Sequence, residues 1–351
     1  MSAIRKVAVA GVSLCHSIYI IATFTNIRQA GRIGGTVVNE LVNAGFDVTV
    51  LTRNSNHQTG KSAKAKVVQV DYDSDSSLTE ALRGQDAVVS TVAMSAIGNQ
   101  QRMIDAAISA GVKYFIPAEY TVNSRDAAAQ AQPMMASVVA IQQYLESKQG
   151  QIAWCVVNCG ALMEFVFDHP ILLDFDNHAT TLWDGGDGAM SISDIPLLAR
   201  AISAALQQPD KVVDNRLRVH GGTITQNRAL ELAKQHASHE WSVTHRESQE
   251  TYPSAMQRLT SGVANAEGTL MADILTLYTA AAFGRCEGHF EAVYADPDNE
   301  WLGVDTFSRG EVEEAIKKRV TVGSYVTQSG TGDQESLRDV TGDLAATFSK
   351  S

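Results

Sequence analysis

The chain has few cysteines and few basic residues for its length. Its 351 residues include four cysteines, and no pair has the CxxC spacing of a zinc site or a redox motif. The 28 lysines and arginines are outnumbered by 39 acidic residues, which gives a net charge of -11. A chain of that charge is a poor electrostatic match to a polyphosphate backbone. We therefore expect no disulfide framework, no metal site and no nucleic-acid partner, and a reducing cytoplasmic location.

A long, uninterrupted apolar stretch is also missing. Residues 7–24 resemble a secretory leader because Arg5 and Lys6 precede an apolar run, but polar residues such as His16 and Ser17 interrupt it. The run is too short and too broken to span a bilayer comfortably. The apolar content suits a globular protein with a substantial core, and the length allows one large or two modest domains. We expect no membrane partner.

Short β-branched runs alternate with helical patterns over the first 160 residues. The predicted strands are 7–11, 46–52, 67–70, 86–92, 114–117 and 152–158. The predicted helices are 34–44, 77–83, 100–110 and 134–148. This alternation implies right-handed βαβ units and a parallel sheet covered on both faces. The fold class is therefore α/β, a Rossmann-type doubly wound parallel sheet with a smaller C-terminal α/β lobe.

A glycine motif is interrupted after the first strand. That strand ends at Gly11, whereas Gly31-Arg32-Ile33-Gly34 opens the first predicted helix, and residues 12–29 separate the two halves. Without residues 12–29 the string reads GxGxxG, placed between strand and helix. There, the first glycine turns the chain, the second admits a pyrophosphate, and the third packs helix against strand. We predict that Gly11, Gly31, Arg32, Ile33 and Gly34 bind a dinucleotide.

Two explanations of the interruption remain open. Val12-Ser13 can be encoded GTA-AGT, Thr25-Asn26 ACT-AAC and Gln29 CAG, which resemble a 5′ splice site, a branch point and a 3′ splice site in order and in frame. One hypothesis is therefore a translated intron. The other is a genuine surface loop, which chains tolerate because closure entropy grows slowly with loop length. A genuine loop would move Gly11 off the pyrophosphate and weaken cofactor binding.

The end of the second strand indicates which dinucleotide binds. An NAD-specific domain places an acidic side chain about twenty residues beyond the loop, on the ribose 2′-hydroxyl. Here the strand ends in Leu51-Thr52-Arg53-Asn54. Arg53 offers a planar, permanently charged fork to a 2′-phosphate, and Lys61 on the following loop is a second cation. We predict NADP(H) as the cofactor, with Thr91, near the end of the fourth strand, as a further binding candidate.

With these residues placed, the sequence resembles the NmrA-like and isoflavone-reductase-like family of atypical short-chain dehydrogenases, particularly its fungal members. The resemblance covers most of residues 3–320. It rests on the glycine loop, on Val50-Leu51-Thr52-Arg53, and on the segment from Lys113 to Tyr120, which is similar to the family's Arg-Phe-Xaa-Pro-Ser-Glu-Phe/Tyr-Gly. Weaker matches are 68–71, 140–146 and 193–195.

The resemblance implies an acid/base lysine near the start of the helix predicted over 134–148. Aligning Ser137-Val138-Val139-Ala140 with the family's Ser-Lys-Val-Ala places Val138 at that position. Valine cannot exchange a proton, and general acid/base catalysis is worth about 10²- to 10⁴-fold, so turnover should be weak. Glu119, Tyr120 and Val138 are the substrate-pocket candidates. Tyr120 is read as an aromatic wall, and Glu119 either polarises a ligand or accepts structural hydrogen bonds.

Three functional hypotheses remain open. The first is an NADPH-dependent reductase of a small aromatic or secondary-metabolite substrate. The second is an NmrA-like NADP(H)-sensing regulator that binds a protein partner, and the third is the product of a defective gene. We expect an NADP-binding domain over 1–160, a substrate lobe over 161–322, and a polar, mobile tail over 323–351. Cys155 and Cys159 are read as small apolar fillers rather than nucleophiles.

Overall fold

The computed structural model describes residues 3–11, 27–53, 64–212, 214–261 and 269–323. The strands of its first half are β1 (Lys6–Ala10), β2 (Asp47–Thr52), β3 (Lys66–Gln69), β4 (Ala87–Ser90), β5 (Tyr114–Ile116) and β6 (Ala153–Trp154). The helices between them are α1 (Ile27–Asn43), α2 (Asp75–Leu82), α3 (Gln100–Ala110), α4 (Ala127–Gln130) and α5 (Ala136–Ser147).

The six strands form one parallel sheet in the order β3-β2-β1-β4-β5-β6. This is the order of the doubly wound dinucleotide-binding fold, so the predicted fold class is confirmed. The central strand β1 is buried from Val7 to Ala10, and its Val9 lies opposite Val50 of β2 and Val89 of β4. Strands buried on both faces favour such runs of small and β-branched residues.

The later part of the chain adds shorter strands and more helices. The strands are β7 (Val156–Asn158), β8 (Ala161–Leu162), β9 (Ala179–Trp183), β10 (Ala189–Ser193), β11 (Arg216–Arg218), β12 (Gly222–Thr225) and β13 (Ser242–Arg246). The helices are α6 (Met163–Val166), α7 (Ile195–Gln207), α8 (Gln226–His236), α9 (Ser248–Thr260), α10 (Thr269–Phe283), α11 (Asn299–Leu302) and α12 (Arg309–Val322). Strands pair in the orders β12-β10-β8, β11-β7 and β13-β9.

The main sheet separates two apolar layers. Val7 and Val9 face the layer that contains α1 and α7, whereas Ala8 and Ala10 face the layer of α2, α3 and α5. Alternate residues of a strand point to opposite faces, which explains the division. Strand β11 runs parallel to β7 with Arg218 opposite Asn158. Residues of α7, β11 and α11, all from beyond residue 160, belong to the same apolar layer as α1. The domain boundary at 160 stays a prediction.

Some element boundaries differ from those predicted. Helix α1 begins at Ile27 rather than at Gly31 or Gly34, so both glycines lie inside the helix. The preceding Ile-Arg-Gln-Ala residues are acceptable helix formers, which lets the helix extend toward the N-terminus. The strand predicted over 152–158 is divided into β6 and β7, which belong to different sheets.

Several expectations fall partly or wholly outside the described residues. Lys61, residues 12–26 and residues 324–351 are not described, so the second cation, most of the interruption and the tail stay predictions. Within the ranges that are described, no helix is both long enough and apolar enough to cross a membrane. The cytoplasmic location stays a prediction.

Candidate functional site

The candidate site lies at the carboxyl edge of the main sheet. Gly11 follows β1, Arg53 follows β2 and Thr91 follows β4, while Glu119 and Tyr120 come three and four residues after β5. Ligands of open α/β sheets bind beyond the carboxyl ends of the strands. The fold therefore places these five predicted site residues at the same edge of the main sheet.

Gly11 lies directly against the backbone of the segment that follows β4. Its φ angle is +81°, a left-handed conformation that side chains rarely adopt. A Cβ atom here would lie 2.6 Å from the Val92 nitrogen and 2.8 Å from the Thr91 carbonyl carbon. Both contacts are with backbone, which cannot rotate away. Glycine is therefore required at this position, as the first glycine of the motif predicts.

Hydrogen bonds from Tyr72 and Thr91 hold the end of β1 in place. The Gly11 N–H donates to the Tyr72 hydroxyl at 2.9 Å, and that hydroxyl donates to the Leu51 carbonyl at 3.1 Å. Burial raises the pKa of Tyr72, which keeps the phenol protonated. The Thr91 N–H and hydroxyl both donate to the Ala10 carbonyl at 2.8 Å. We call Gly11, Tyr72 and Thr91 the glycine end.

Tyr72 was not identified from the sequence. It follows β3 in the segment Val70-Asp71-Tyr72, and a tyrosine after a strand has no motif of its own. Its contact with Gly11 spans 61 residues of sequence, so only the assembled sheet reveals it.

Arg32 contacts a carboxylate from a distant segment. Its Nη1 lies 3.7 Å from Asp168 Oδ2, and Asp168 Oδ1 lies 2.7 Å from Arg319 Nη2 on α12. The Asp168 side chain is buried, so two guanidinium groups share one enclosed carboxylate. Ile33 is half-buried against the apolar layer of α1 and α7. The ion cluster links α1, which carries the glycine motif, to α12.

Arg53 projects into solvent at the end of β2. Its side chain is exposed, and its carbonyl accepts a hydrogen bond from Gln69 Nε2 at 3.2 Å. Arg53 lowers the pKa of Tyr72, although burial outweighs that effect. The positive charge of Arg53 thus lies near the glycine end and is accessible to an anion.

Glu119 is enclosed in a network of polar side chains, which we call the Glu119 cluster: Glu119, Ser124, Gln142 and Asn158. Glu119 Oε1 accepts hydrogen bonds from the Ser124 hydroxyl and from Gln142 Nε2, the latter at 2.7 Å. Ser124 Oγ also accepts from Gln142 Nε2 at 3.0 Å and from Asn158 Nδ2 at 2.9 Å. All four residues are buried. The cluster joins the end of β5 to α5 and β7.

Burial raises the pKa of Glu119 to about 8, even though Ser124, Gln142, Asn158 and Arg125 all act to lower it. Desolvation of the charged form is the larger effect. Among the described residues, Glu119 Oε2 and Asn158 Oδ1 have no hydrogen-bond donor. Protonation would turn Glu119 Oε2 from an acceptor without a donor into a hydroxyl that can itself donate a hydrogen bond.

Tyr120 and Val138 occupy fixed positions beside this cluster. The Tyr120 hydroxyl donates to the Ser90 carbonyl at 2.6 Å, and burial raises its pKa well above the usual value. The Tyr120 hydroxyl proton is therefore engaged in a hydrogen bond to the backbone of β4. Val138 is buried on α5, one helical turn before Gln142, so both lie on the helix face that meets Glu119. Ser124, Gln142 and Asn158 were missed because polar residues that meet only in the folded chain leave no sequence pattern.

The three cysteines within the described residues are buried. Cys155, Cys159 and Cys286 are free thiols in buried positions. Burial raises the pKa of Cys155 to about 12 and that of Cys159 further, so neither forms a thiolate at neutral pH. Both act as small apolar fillers, as predicted. In the part of the chain that the structure describes, no group of histidine, cysteine and acidic residues could hold a metal ion.

Comparison with known proteins agrees with this architecture. The oxidoreductase aprR of Aspergillus flavus is similar in sequence, 27% identical over 240 residues that cover 67% of this chain and 81% of the relative. An isoflavone reductase structure superposes with a TM-score of 0.66 at 16% identity, covering 90% of this chain and 99% of the other. The complex of leucoanthocyanidin reductase with NADPH from Vitis vinifera superposes with a TM-score of 0.65 at 14% identity, with the same coverage.

The sheet order and the glycine-dependent edge define a Rossmann-type protein. The model of the NmrA-like family matches residues 23–260, about two thirds of the chain. The chain belongs to the NmrA-like family, which confirms the resemblance drawn from the sequence. The match starts at residue 23, so β1 and residues 12–22 lie outside it.

Proposed function

We propose that this protein is an NADPH-dependent reductase that acts on a small aromatic or secondary-metabolite substrate. The observation that carries the proposal is the sheet edge at Gly11, where no Cβ fits and an exposed Arg53 lies nearby. The A. flavus relative is described as an oxidoreductase, and the grape reductase that shares the fold was solved with NADPH. Both support this reading.

The residues at the glycine end fit such a cofactor. Close backbone approach at Gly11 leaves the strand edge free of side chain, which a pyrophosphate needs. Arg53 would hold the 2′-phosphate by paired hydrogen bonds, with Lys61 as the predicted second cation. Gly31, Arg32, Ile33, Gly34 and Thr91 remain the other proposed cofactor residues. Arg32 already neutralises Asp168, so a phosphate would share that guanidinium with the carboxylate.

When bound, NADPH supplies a hydride. The residues near the pocket then determine how the substrate is oriented and how its charge is neutralised. Val138 has no exchangeable proton, and the Tyr120 hydroxyl already donates a hydrogen bond to the Ser90 carbonyl. We therefore propose slow turnover, in which the proton that completes reduction comes from solvent rather than from a side chain at position 138.

A second candidate function is NADP(H) sensing, in which occupancy changes the affinity for a protein partner. The buried Val138 at the position of the family lysine favours it, because sensing needs no proton transfer. The variant V138K distinguishes the two functions. A reductase that lacks only its acid/base group should gain turnover, measured as loss of NADPH absorbance with 1,4-naphthoquinone, whereas a sensor should gain none.

The first experiment is a fluorescence titration of the full chain with NADPH and with NADH. We expect NADPH to bind more tightly, and R53A to lower its affinity roughly 10-fold through loss of a charge-assisted contact, with NADH affinity unchanged. R83A removes an exposed arginine beyond the end of α2 and serves as the matched control. Equal affinity for both cofactors, or an R53A effect on both, would contradict the NADP(H) assignment.

The same titration on a variant lacking residues 12–29 tests the interruption. We expect tighter NADPH binding by the shortened chain, because deletion leaves only Ala30 between Gly11 and Gly31 and restores the GxGxxG spacing. Equal affinity of the two proteins would mean that the longer connection already forms a working phosphate site. Absence of binding in both would refute the proposed function.

A further inference from the structure

His220 lies at the carboxyl end of the β11-β7 pair, beside the segment that carries the candidate site. It follows β11 by two residues, and β11 runs parallel to β7, so the carboxyl ends of the two strands point the same way. The Val219 N–H donates to the Asn158 carbonyl at 2.9 Å, which fixes the chain just before His220. His220 comes from a distant part of the sequence, but the pairing of β11 with β7 places it close to the candidate site.

Tyr294 connects the surroundings of His220 to the ends of β5 and β7. Its hydroxyl accepts the Gly160 N–H at 2.9 Å and donates to the Thr121 carbonyl at 3.4 Å. Thr121 follows Tyr120, and the Tyr294 ring stacks on the His220 ring with centroids 6.2 Å apart. One side chain therefore separates His220 from the segment that carries the pocket candidates.

Ser191 determines which nitrogen of His220 carries the proton. Ser191 Oγ accepts the Tyr294 N–H at 3.0 Å and lies 2.9 Å from His220 Nδ1. Ser191 is fully buried, and these are its only side-chain hydrogen bonds among the described residues. If Nδ1 were the donor, the serine proton would be left without an acceptor, which costs free energy. Ser191 therefore donates to Nδ1, and the neutral ring carries its proton on Nε2.

The ring is neutral and firmly held. Partial burial lowers the pKa of His220, and no charged group contributes to that shift. The backbone of His220 is held by Asn299. Its amide N–H donates to Asn299 Oδ1 at 3.0 Å, and Asn299 Nδ2 donates to the His220 carbonyl at 2.9 Å. Nε2 bonds to none of the described residues and is not among the fully enclosed polar atoms. A neutral, oriented N–H donor is thus left available.

We propose that His220 binds the substrate by donating its Nε2–H to an acceptor oxygen, such as a carbonyl or quinone oxygen. The inference rests on the proposed reductase function and names the chemistry of its substrate. No proton is transferred from the neutral imidazole. The hydrogen bond orients the substrate oxygen and stabilises the negative charge that develops on it, as a preorganised donor does in a partly enclosed site.

The first test is NMR of the full chain labelled with [15N]histidine, with H220Q to assign the resonances. We expect the Nε2–H tautomer in the free protein, and exchange between tautomers in S191A. Adding NADP⁺ and 1,4-naphthoquinone should shift the His220 resonances saturably, whereas those of His245, exposed on β13, should stay unchanged. A proton on Nδ1 in the free protein would overturn the proposal. His220 resonances whose chemical shifts do not change when the quinone is added would do the same.

The second test is kinetic. We expect H220F to lower kcat/KM for 1,4-naphthoquinone roughly 10- to 100-fold with NADPH affinity unchanged, and H220Q, which keeps a donor, to recover part of the loss. H245F is the matched control and should behave like the parent protein. Equal activity of H220F and the parent refutes the role of His220. Failure of the parent to bind NADPH refutes instead the reductase function on which it rests.

Discussion

The glycine end and the Glu119 cluster lie at the same edge of the sheet but satisfy their polar groups differently. At the glycine end, the Gly11 N–H, the Tyr72 hydroxyl and the Thr91 hydroxyl each have a hydrogen-bond partner in another strand or in the segment that follows one. In the Glu119 cluster, two buried acceptor oxygens have no donor among the described residues. The hydrogen bonds of the first region are complete with the Tyr72 phenol in its ordinary protonated form, whereas burial in the second region favours protonation of the Glu119 carboxyl. The two regions should therefore respond differently to mutation and to pH.

Among the substitutions, the largest loss of stability is expected from removing the Asp168 carboxylate, which links α1 to α12. D168A would leave the Arg32 and Arg319 guanidinium groups without their shared carboxylate, at a cost of roughly 3 kcal/mol in the free energy of unfolding. Most of the loss should come from buried Arg319, because Arg32 is more exposed and its interaction is screened. Urea denaturation measures the change. D73A, which removes an exposed carboxylate near Arg102, is the control and should cost little.

G11A tests whether the glycine end is as tightly packed as its contacts indicate. The added Cβ would collide with the backbone of Thr91 and Val92 and must adopt a left-handed φ, so we expect a loss of roughly 2–3 kcal/mol in unfolding free energy. G84A has a similar φ of +74° but open space around the Cβ, and should lose only about 1 kcal/mol. Equal losses would show that β1 and β4 can separate at this point.

The pH dependence of stability tests the Glu119 cluster. Because folding raises the Glu119 pKa from about 4.5 to about 8, the folded state favours the protonated acid. Its contribution to stability is full below pH 4.5 and is lost as the pH rises toward 8, at up to about 1.4 kcal/mol per pH unit. E119Q should flatten this slope in denaturation experiments between pH 5 and 8. E80Q changes an exposed glutamate and should keep the parent slope.

The smallest expected effect is that of Y72F. The variant removes the acceptor of the Gly11 N–H and the donor to the Leu51 carbonyl, so we expect a loss of roughly 1–2 kcal/mol, measured by urea denaturation. Y144F deletes an exposed hydroxyl that bonds Asp105 and serves as the control. A Y72F protein as stable as the parent would mean that water replaces the hydroxyl and that the glycine end is more open than its contacts indicate.

Local patterns predicted the main sheet well. The parallel order follows from alternating strands and helices, and α3 has the same bounds, Gln100–Ala110, as its prediction. A buried strand and an amphipathic helix each leave a period in the sequence, so both can be read locally. The start of α1 was wrong because the segment before Gly31 carries enough helix-forming residues to extend the helix to Ile27.

The site was only partly predictable. Gly11, Arg53, Glu119 and Tyr120 stand at strand ends, and a strand end is visible in the sequence. Their partners, such as Tyr72 and Asn158, are not visible, because each is brought in from a distant segment by sheet assembly. His220 shows the limit most clearly, because β11 pairs with β7 across about sixty residues of intervening chain.

The sequence by itself determined the doubly wound sheet, the need for glycine after β1 and the positive charge after β2, because each depends on neighbouring residues. Only the tertiary structure decided that Arg32 shares Asp168 with Arg319, that Glu119 is enclosed without enough donors, and that Ser191 sets the His220 tautomer. These properties depend on burial and on contacts between distant segments. Desolvation and hydrogen bonding act on groups that are close in space, whatever their separation along the chain.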